Sequence, residues 1–170
     1  MEQNEVTQYR VYGVRWIQLL VYFLVTFVNA FPSATFVPIE SETATFYNIT
    51  ATQVNALAVV FFFLYVAGTI LATWVYRVVS LRTGLVIGSV LNLGTVIRLF
   101  SLISPYNGYA ALIIGQLFPA IGRPFLMNVT ALFAARWFAP KQRDLATAIG
   151  SMANPLGKNL NEHDSSLIID

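Results

Sequence analysis

The sequence predicts an all-α integral membrane protein, and three observations lead to that fold class. Of 170 residues, 56% are hydrophobic and only 11% are charged, whereas about a quarter of the residues in soluble domains are charged. No charge occurs over the 24 residues from Trp16 to Ile39, or over the 34 from Thr43 to Tyr76. Both stretches are longer than the roughly 20 apolar residues that a membrane-spanning helix requires. This composition excludes an ordinary soluble enzyme, and the net charge of +2 is too small for a nucleic-acid-binding protein.

The apolar stretches divide into four predicted transmembrane helices within residues 16–140. The first stretch holds one helix, and the second holds one helix preceded by a polar loop. A third stretch, interrupted only by Arg98 and Arg123, holds two helices because the turn residues Ser104–Gly108 divide it. The predicted spans are residues 16–37, 54–76, 83–103 and 109–136. A cleaved signal peptide is the alternative for the first span, but signal peptides have apolar regions of only about 7–15 residues.

The loop cations predict the orientation. Seven Lys and Arg residues flank the spans, and all fall on the side of the N-terminal tail, residues 1–15 (Arg10, Arg15, Arg77, Arg82, Arg136, Lys141, Arg143). The first loop on the other side carries Glu40 and Glu42 instead. Because positive loops remain in the cytoplasm, we expect a cytoplasmic N-terminus. The plasma membrane is the expected location, and an organelle membrane is the alternative.

A glycosylation sequon, Asn48-Ile49-Thr50, falls in the predicted outer loop. Such three-residue matches also arise by chance, as Asn128-Val129-Thr130 does inside the fourth span. Asn48 is therefore a glycosylation candidate because of the topology, although it lies close to the membrane.

The chain after the fourth span begins a fifth helix that we expect to be incomplete. Residues 141–157 form a loop and an apolar run of small residues from Leu145 to Gly157, which is about 13 residues against the roughly 20 needed to span. Residues 158–170 form a polar tail that cannot enter hydrocarbon without a large cost. An amphipathic segment at the membrane interface is the alternative, but the run has no basic face. The pattern favours a truncated fifth span.

Polar residues recur along one face of three spans, at helical steps of three and four. Asn29 and Ser33 belong to the stripe of the first span, Asn92 to that of the third, and Gln116 to that of the fourth, with Asn128 beside it. These five residues are candidates for lining a solute cavity. For the third span, Gly84-x-x-x-Gly88 equally predicts close helix packing.

Arg123 is the strongest functional candidate. It lies near the middle of the fourth span, where an arginine costs about 2.5–3.5 kcal/mol on the insertion scale. We therefore expect its side chain to face protein or water, and the neighbouring Pro124 to bend the helix there. A structural ion pair is the alternative reading, but the four spans contain no Asp or Glu. Arg98 is weaker evidence, since it lies near the outer end and can extend its charge to the interface.

No catalytic or metal-binding constellation is present in the sequence. There is no cysteine, the only histidine is His163 in the polar tail, and no carboxylates pair within a span. We expect neither enzyme activity nor a cofactor or metal.

An ordered set of motifs across residues 10–157 resembles the feline leukaemia virus subgroup C receptor family (solute carrier family 49) of the major facilitator superfamily. The motifs are Arg15-Trp16-x-x-Leu19-Leu20, Gly88-x-x-Leu91-Asn92, Pro124-Phe125-Leu126-x-Asn128 and Asn154-Pro155-Leu156-Gly157. The resemblance implies helices 1–4 and the start of helix 5 of an N-terminal half, with helices 1 and 4 lining a central cavity. It also implies alternating-access transport of small organic solutes, the family cargo being choline, ethanolamine and haem.

The sequence departs from the family pattern in three places. Choline-carrying members have a tryptophan where this chain has Ser33, and a glutamine where it has Arg123. The loop between helices 2 and 3 has Arg77 and Ser80 where the superfamily usually has an acid and a glycine. Loss of an aromatic face and gain of a cation both disfavour a cationic substrate, so we expect an anionic or zwitterionic one.

The leading functional prediction is a truncated transporter that does not transport as this chain alone. Its expected partners are the lipid bilayer, a small solute in the full-length form, and the missing C-terminal half or a full-length transporter. The alternative is a four-span binding or regulatory protein that associates with such a transporter.

Overall fold

The computed structural model describes residues 13–36, 38–100 and 105–167. The described residues form helices and connecting turns, in the order α1 Val14–Ala34, α2 Glu40–Tyr47, α3 Ala51–Val78, α4 Leu81–Asn92, a 3₁₀ turn Leu93–Val96, α5 Ile97–Phe100, α6 Pro105–Met127, α7 Thr130–Trp137 and α8 Pro140–Leu167. This confirms the predicted all-α membrane fold.

Within the described residues, three segments are long and apolar enough to cross a membrane, namely Val14–Ser33, Ala51–Val78 and Gly108–Met127. They correspond to the first, second and fourth predicted spans. Large apolar side chains remain exposed along them, such as Phe63 at 74% and Ile70 at 72%. Exposure of this kind is unfavourable in water but suits contact with lipid.

Local capping explains where two of the helices begin. Thr50 and Gln53 form a reciprocal capping box at the start of α3, which satisfies two of the backbone donors that a helix start leaves unpaired. At the start of α4 the Ser80 hydroxyl accepts a hydrogen bond from the backbone of Thr83 at 3.2 Å.

The third predicted span is divided in the structure. The helix α4 ends at Asn92, a 3₁₀ turn follows, and α5 covers Ile97–Phe100. Residues 101–103, the end of the predicted span, lie outside the described residues. The polar and small residues Asn92, Gly94 and Thr95 at this point are weaker helix formers than the apolar residues around them.

The fourth predicted span is also interrupted. Its helix α6 ends at Met127, and α7 begins at Thr130 after Val129, which leaves the helical region at φ −114° and ψ 4°. The β-branched residues Val129 and Thr130 have low helix propensity. At this break, side-chain hydroxyls donate to carbonyls at the end of α6, as described below.

The fifth helix extends beyond its apolar run. The apolar run ends at Gly157, and α8 continues as a helix through the polar residues that follow to Leu167. Its inner face is a stripe of small residues at helical spacing, Ala146, Gly150, Ala153 and Gly157, all buried. A Cβ at Gly157 would lie 2.6 Å from the Phe27 carbonyl oxygen of α1. The small residues therefore let α8 pack closely on α1, and Asn161, one turn beyond Gly157, is also buried at 9% exposure.

The central element is α6, which packs against α1, α3 and α4. Of its apolar segment 56% is buried, compared with 22% for α3. Gly88 of α4 and Gly122 of α6 meet, since a Cβ on Gly122 would lie 3.1 Å from the Gly88 carbonyl oxygen. This contact agrees with the packing interpretation of the glycines in the third span. The side chains of α6 are consequently held by three neighbouring helices.

Candidate functional site

Arg123 is buried in the interior of the helix assembly. Its side chain is only 7% exposed, although it lies on a membrane-spanning helix. The next residue, Pro124, has no backbone N–H, so it cannot donate the usual hydrogen bond to the residue four positions earlier. An arginine in this environment has to be accommodated by polar groups from neighbouring helices.

The guanidinium of Arg123 contacts α3 and α8. Its Nη2 donates a hydrogen bond to the side-chain oxygen of Asn154 on α8 at 2.7 Å. Its central carbon lies 5.7 Å from the centroid of the Phe61 ring on α3, within the range of a cation–π interaction. Its Nη1 is buried and has no hydrogen-bond partner among the described residues. The site therefore holds a cation whose donors are only partly used.

A second polar pair lies about one helical turn away from Phe61 and Arg123, between α3 and the break that follows α6. The Tyr65 hydroxyl of α3 donates to the side-chain oxygen of Asn128, at the break after α6, at 3.3 Å. Asn128 is exposed in the structure. Because an amide is costly in hydrocarbon, we interpret the exposed Asn128 as facing water or protein rather than lipid.

The last turn of α6, which carries these residues, is fixed by side-chain hydroxyls. The last four carbonyls of a helix have no N–H partner within that helix. Here the Asn128 backbone donates to Pro124 at 3.2 Å, Tyr76 donates to Phe125 at 2.5 Å, and Tyr22 donates to Leu126 at 2.5 Å. The Thr130 hydroxyl lies 3.3 Å from the fourth carbonyl, that of Met127, and 2.6 Å from the Tyr22 oxygen, to which it donates its single proton because Tyr22 donates its own to Leu126. The carbonyls of Pro124, Phe125 and Leu126 are thus satisfied, and α6 is bonded to both α1 and α3 next to Arg123.

The other predicted cavity residues form a separate set of contacts between helices. Asn29 donates to the side-chain oxygen of Asn92 at 2.9 Å, and Gln116 donates to the Pro32 carbonyl at 3.2 Å. Asn29 and Gln116 are almost fully buried. These amides bond α1 to α4 and α6, as polar residues commonly do between membrane helices. Ser33 donates to the carbonyl of Ala30 in its own helix at 2.7 Å.

Arg98 occupies a different environment from Arg123. Its guanidinium carbon lies 4.5 Å from the centroid of the Phe36 ring, and its side chain is partly exposed. It belongs to the short helix α5. The two membrane arginines therefore do not form one site.

Asn154 was not predicted as a site residue, because the run in which it lies was interpreted only as small and apolar. The available signal was an amide directly before Pro155 in an otherwise uncharged segment. The four predicted spans contain no acid that could pair with Arg123, and the partner that the structure describes is a neutral amide.

Three of the seven cations that are predicted to face the cytoplasm line one groove. Arg15 of α1, Arg82 of α4 and Arg136 of α7 line a groove of about 740 Å³ whose other walls include Val21 and Phe133. The three cations therefore lie close together on the molecule.

The glycosylation candidate Asn48 ends α2 in a left-handed conformation, with φ 52°. It is exposed, as an acceptor asparagine has to be. Among the described residues no group of three His, Cys, Asp or Glu side chains could hold a metal ion.

These features define an all-α multi-pass membrane protein with a polar site between its helices. The sequence profile of the Major Facilitator Superfamily matches residues 22–160. The chain belongs to this superfamily.

Similar proteins confirm the resemblance to solute carrier family 49. The chain is 33% identical over 157 residues to solute carrier family 49 member A3 of Xenopus tropicalis, and the matched region covers 88% of this chain and 33% of the relative. It is 31% identical over 166 residues to the protein of that name from Danio rerio, covering 95% and 35%. It is 28% identical over 144 residues to the choline/ethanolamine transporter FLVCR1 of Mus musculus, covering 84% and 25%. The chain thus spans a quarter to about a third of the length of these relatives.

Proposed function

We propose that this chain forms part of the solute-binding region of a transporter for small organic solutes, which works by alternating access in its full-length form. The observation that carries the proposal is Arg123, a 7% exposed cation with one unpartnered nitrogen in the interior of a membrane helix assembly. Intramembrane charges of this kind commonly mark substrate or ion pathways. The names of the relatives, which include choline/ethanolamine transporters, support solute transport as the class of function.

This chain by itself is not expected to transport. In the major facilitator superfamily the binding site lies between two halves of six helices each, and the chain covers about a third of its member A3 relatives. We propose that the protein lies in the plasma membrane. Its cation-rich end, with Arg15, Arg82 and Arg136, then faces the cytoplasm.

The second candidate is a binding or regulatory protein that associates with a full-length transporter. It is supported by apolar helix faces that remain uncovered in this chain, such as that of Phe63, which is 74% exposed. The two candidates differ in a simple uptake measurement. Choline uptake by cells that express the mouse relative should be unchanged by co-expression of this chain if the chain is only a transporter part. A change in uptake together with co-purification would favour the regulatory role.

The test of the proposed site is whether water reaches it. The chain has no cysteine, so single cysteines can be introduced without background reactivity. In membranes that contain the full chain, Asn154→Cys and Asn128→Cys should react with a small water-soluble maleimide. Ala120→Cys, which is fully buried, and Val66→Cys, which is 61% exposed on an apolar face, are the matched controls and should not react. Equal lack of reaction at all four positions would contradict an aqueous solute site beside Arg123.

A further inference from the structure

The two terminal nitrogens of Arg123 are in different situations. Nη2 donates to Asn154 at 2.7 Å, while Nη1 is buried without a hydrogen-bond partner among the described residues. A guanidinium has five N–H donors in a fixed planar arrangement and keeps its positive charge. A buried donor without an acceptor is unfavourable, so the site lacks an acceptor at a defined position.

Among the described contacts of Arg123 there is also no negative charge. The described contacts of the guanidinium are neutral, namely the amide of Asn154 and the ring of Phe61. No Asp or Glu occurs in the four predicted spans. A buried cation that is hydrogen-bonded only to neutral groups is stabilised further by an anion that enters its site.

We propose that Arg123 binds the carboxylate of a small monocarboxylate or zwitterionic solute, an inference that rests on the proposed function. A carboxylate oxygen supplies both the missing acceptor for Nη1 and the missing charge. Carboxylates match the planar donors of arginine in a geometry that a hydroxyl does not reproduce. The Phe61 ring covers part of the guanidinium, and Tyr65 and Asn128 one turn away offer polar groups to the remainder of the solute.

The single charge of the site favours a monoanionic group. A phosphate carries about 1.5 to 2 negative charges at neutral pH and is usually met by several cations. Within the described part of the spans the other arginine, Arg98, is stacked on Phe36 rather than on the residues around Arg123. A purely cationic solute would meet a like charge at Arg123 and is disfavoured.

The test uses pairs of solutes that differ in one group. Betaine and choline share a trimethylammonium group, and glycine and ethanolamine share a primary ammonium group, while only the first member of each pair has a carboxylate. The full 170-residue chain is placed in lipid nanodiscs, and its thermal unfolding midpoint is followed as each solute is added, since a ligand of the folded state raises that midpoint. We expect betaine and glycine to raise the midpoint in a saturable manner, and choline and ethanolamine to leave it nearly unchanged.

Variants assign the effect to Arg123. Arg123→Gln should weaken the apparent affinity for the carboxylate solutes by at least about tenfold, because it removes a charged hydrogen-bonding partner. Arg123→Lys keeps the charge and should retain part of the preference, which separates loss of binding from loss of folding. Arg98→Gln removes an equal charge from the membrane region and should bind as the parent does.

The outcomes separate this inference from the proposed function. If choline and ethanolamine stabilise the parent chain as well as their carboxylate counterparts do, the carboxylate inference is overturned and solute binding stands. If none of the four solutes stabilises the parent chain, the carboxylate inference is also overturned. If, in addition, Asn154→Cys does not react with the maleimide, the proposed function is overturned as well.

Discussion

Removal of the tyrosine hydroxyls at the end of α6 should destabilise the fold measurably. Tyr22 donates to the Leu126 carbonyl at 2.5 Å, and its oxygen lies 2.6 Å from the Thr130 hydroxyl oxygen. Tyr76 donates to the Phe125 carbonyl at 2.5 Å. Replacement by phenylalanine preserves the ring and its packing, so the change isolates the hydroxyl.

The expected cost follows from the hydrogen bonds that are lost. Bonds between membrane helices contribute about 0.6 kcal/mol on average and about 1.7 at most, whereas a buried carbonyl left without a partner costs about 1–3 kcal/mol. We expect Tyr76→Phe to lower the free energy of unfolding by about 1 kcal/mol, and Tyr22→Phe by about 1–2 kcal/mol because two contacts are lost. The double variant should lose at least the sum, about 2–3 kcal/mol, since adjacent carbonyls lose their partners together.

The assay is equilibrium unfolding of the purified chain in mild detergent by titration with a denaturing detergent. Tyr65→Phe is the matched control, because its hydroxyl makes a longer bond of 3.3 Å in an exposed position, and it should change the stability by less than about 0.5 kcal/mol. A double variant of Tyr22 and Tyr76 that unfolds within about 0.5 kcal/mol of the parent would refute the conclusion that these hydroxyls satisfy the end of α6.

Three further predictions concern packing, modification and orientation. Gly157→Leu should weaken the packing of α8 on α1 and lower the midpoint of thermal unfolding, because even a Cβ there would lie 2.6 Å from a backbone oxygen; Gly13→Ala, with nothing within 4 Å, should have no effect. When the parent chain is expressed in animal cells, treatment with a glycosidase should lower its mass, and Asn48→Gln should abolish that change. A parent chain whose mass the glycosidase leaves unchanged would contradict the glycosylation prediction. Glu42→Cys should react with an impermeant maleimide on intact cells and Lys141→Cys only after permeabilisation; the reverse pattern would contradict the proposed orientation.

The fold class was predictable because it depends on composition and charge spacing over long windows. In a membrane the backbone N–H and C=O groups of such an apolar segment have to pair with each other, which makes the segment a helix whatever it packs against. The interruptions were harder to predict. The break after Met127 depends on hydroxyls of Tyr22 and Tyr76, which lie far away in sequence and whose proximity follows only from the folded arrangement.

Part of the candidate site could be predicted from the sequence. Arg123 was identified from the cost of placing a charge in the membrane, a local property that the sequence reveals. Its partner Asn154 was not identified, since which neutral amide reaches a given charge depends on how α8 packs on α1. The stripe residues Asn29, Asn92 and Gln116 were selected by the same periodicity, which reports the inward face of a helix but not whether that face meets a cavity or another helix.

Uptake by a chimera tests the central claim, that Arg123 lies at the solute site and selects the solute, most directly. In the mouse choline/ethanolamine relative, the region that this chain matches is replaced by the corresponding residues of this chain. Uptake of labelled choline and betaine is then measured with Arg123 intact, with Arg123→Gln, and with Arg98→Gln as the control. We predict that the chimera takes up betaine in preference to choline, that Arg123→Gln reverses the preference, and that Arg98→Gln does not. Choline uptake that equals that of the relative and is altered by Arg123→Gln in neither affinity nor rate would contradict the claim.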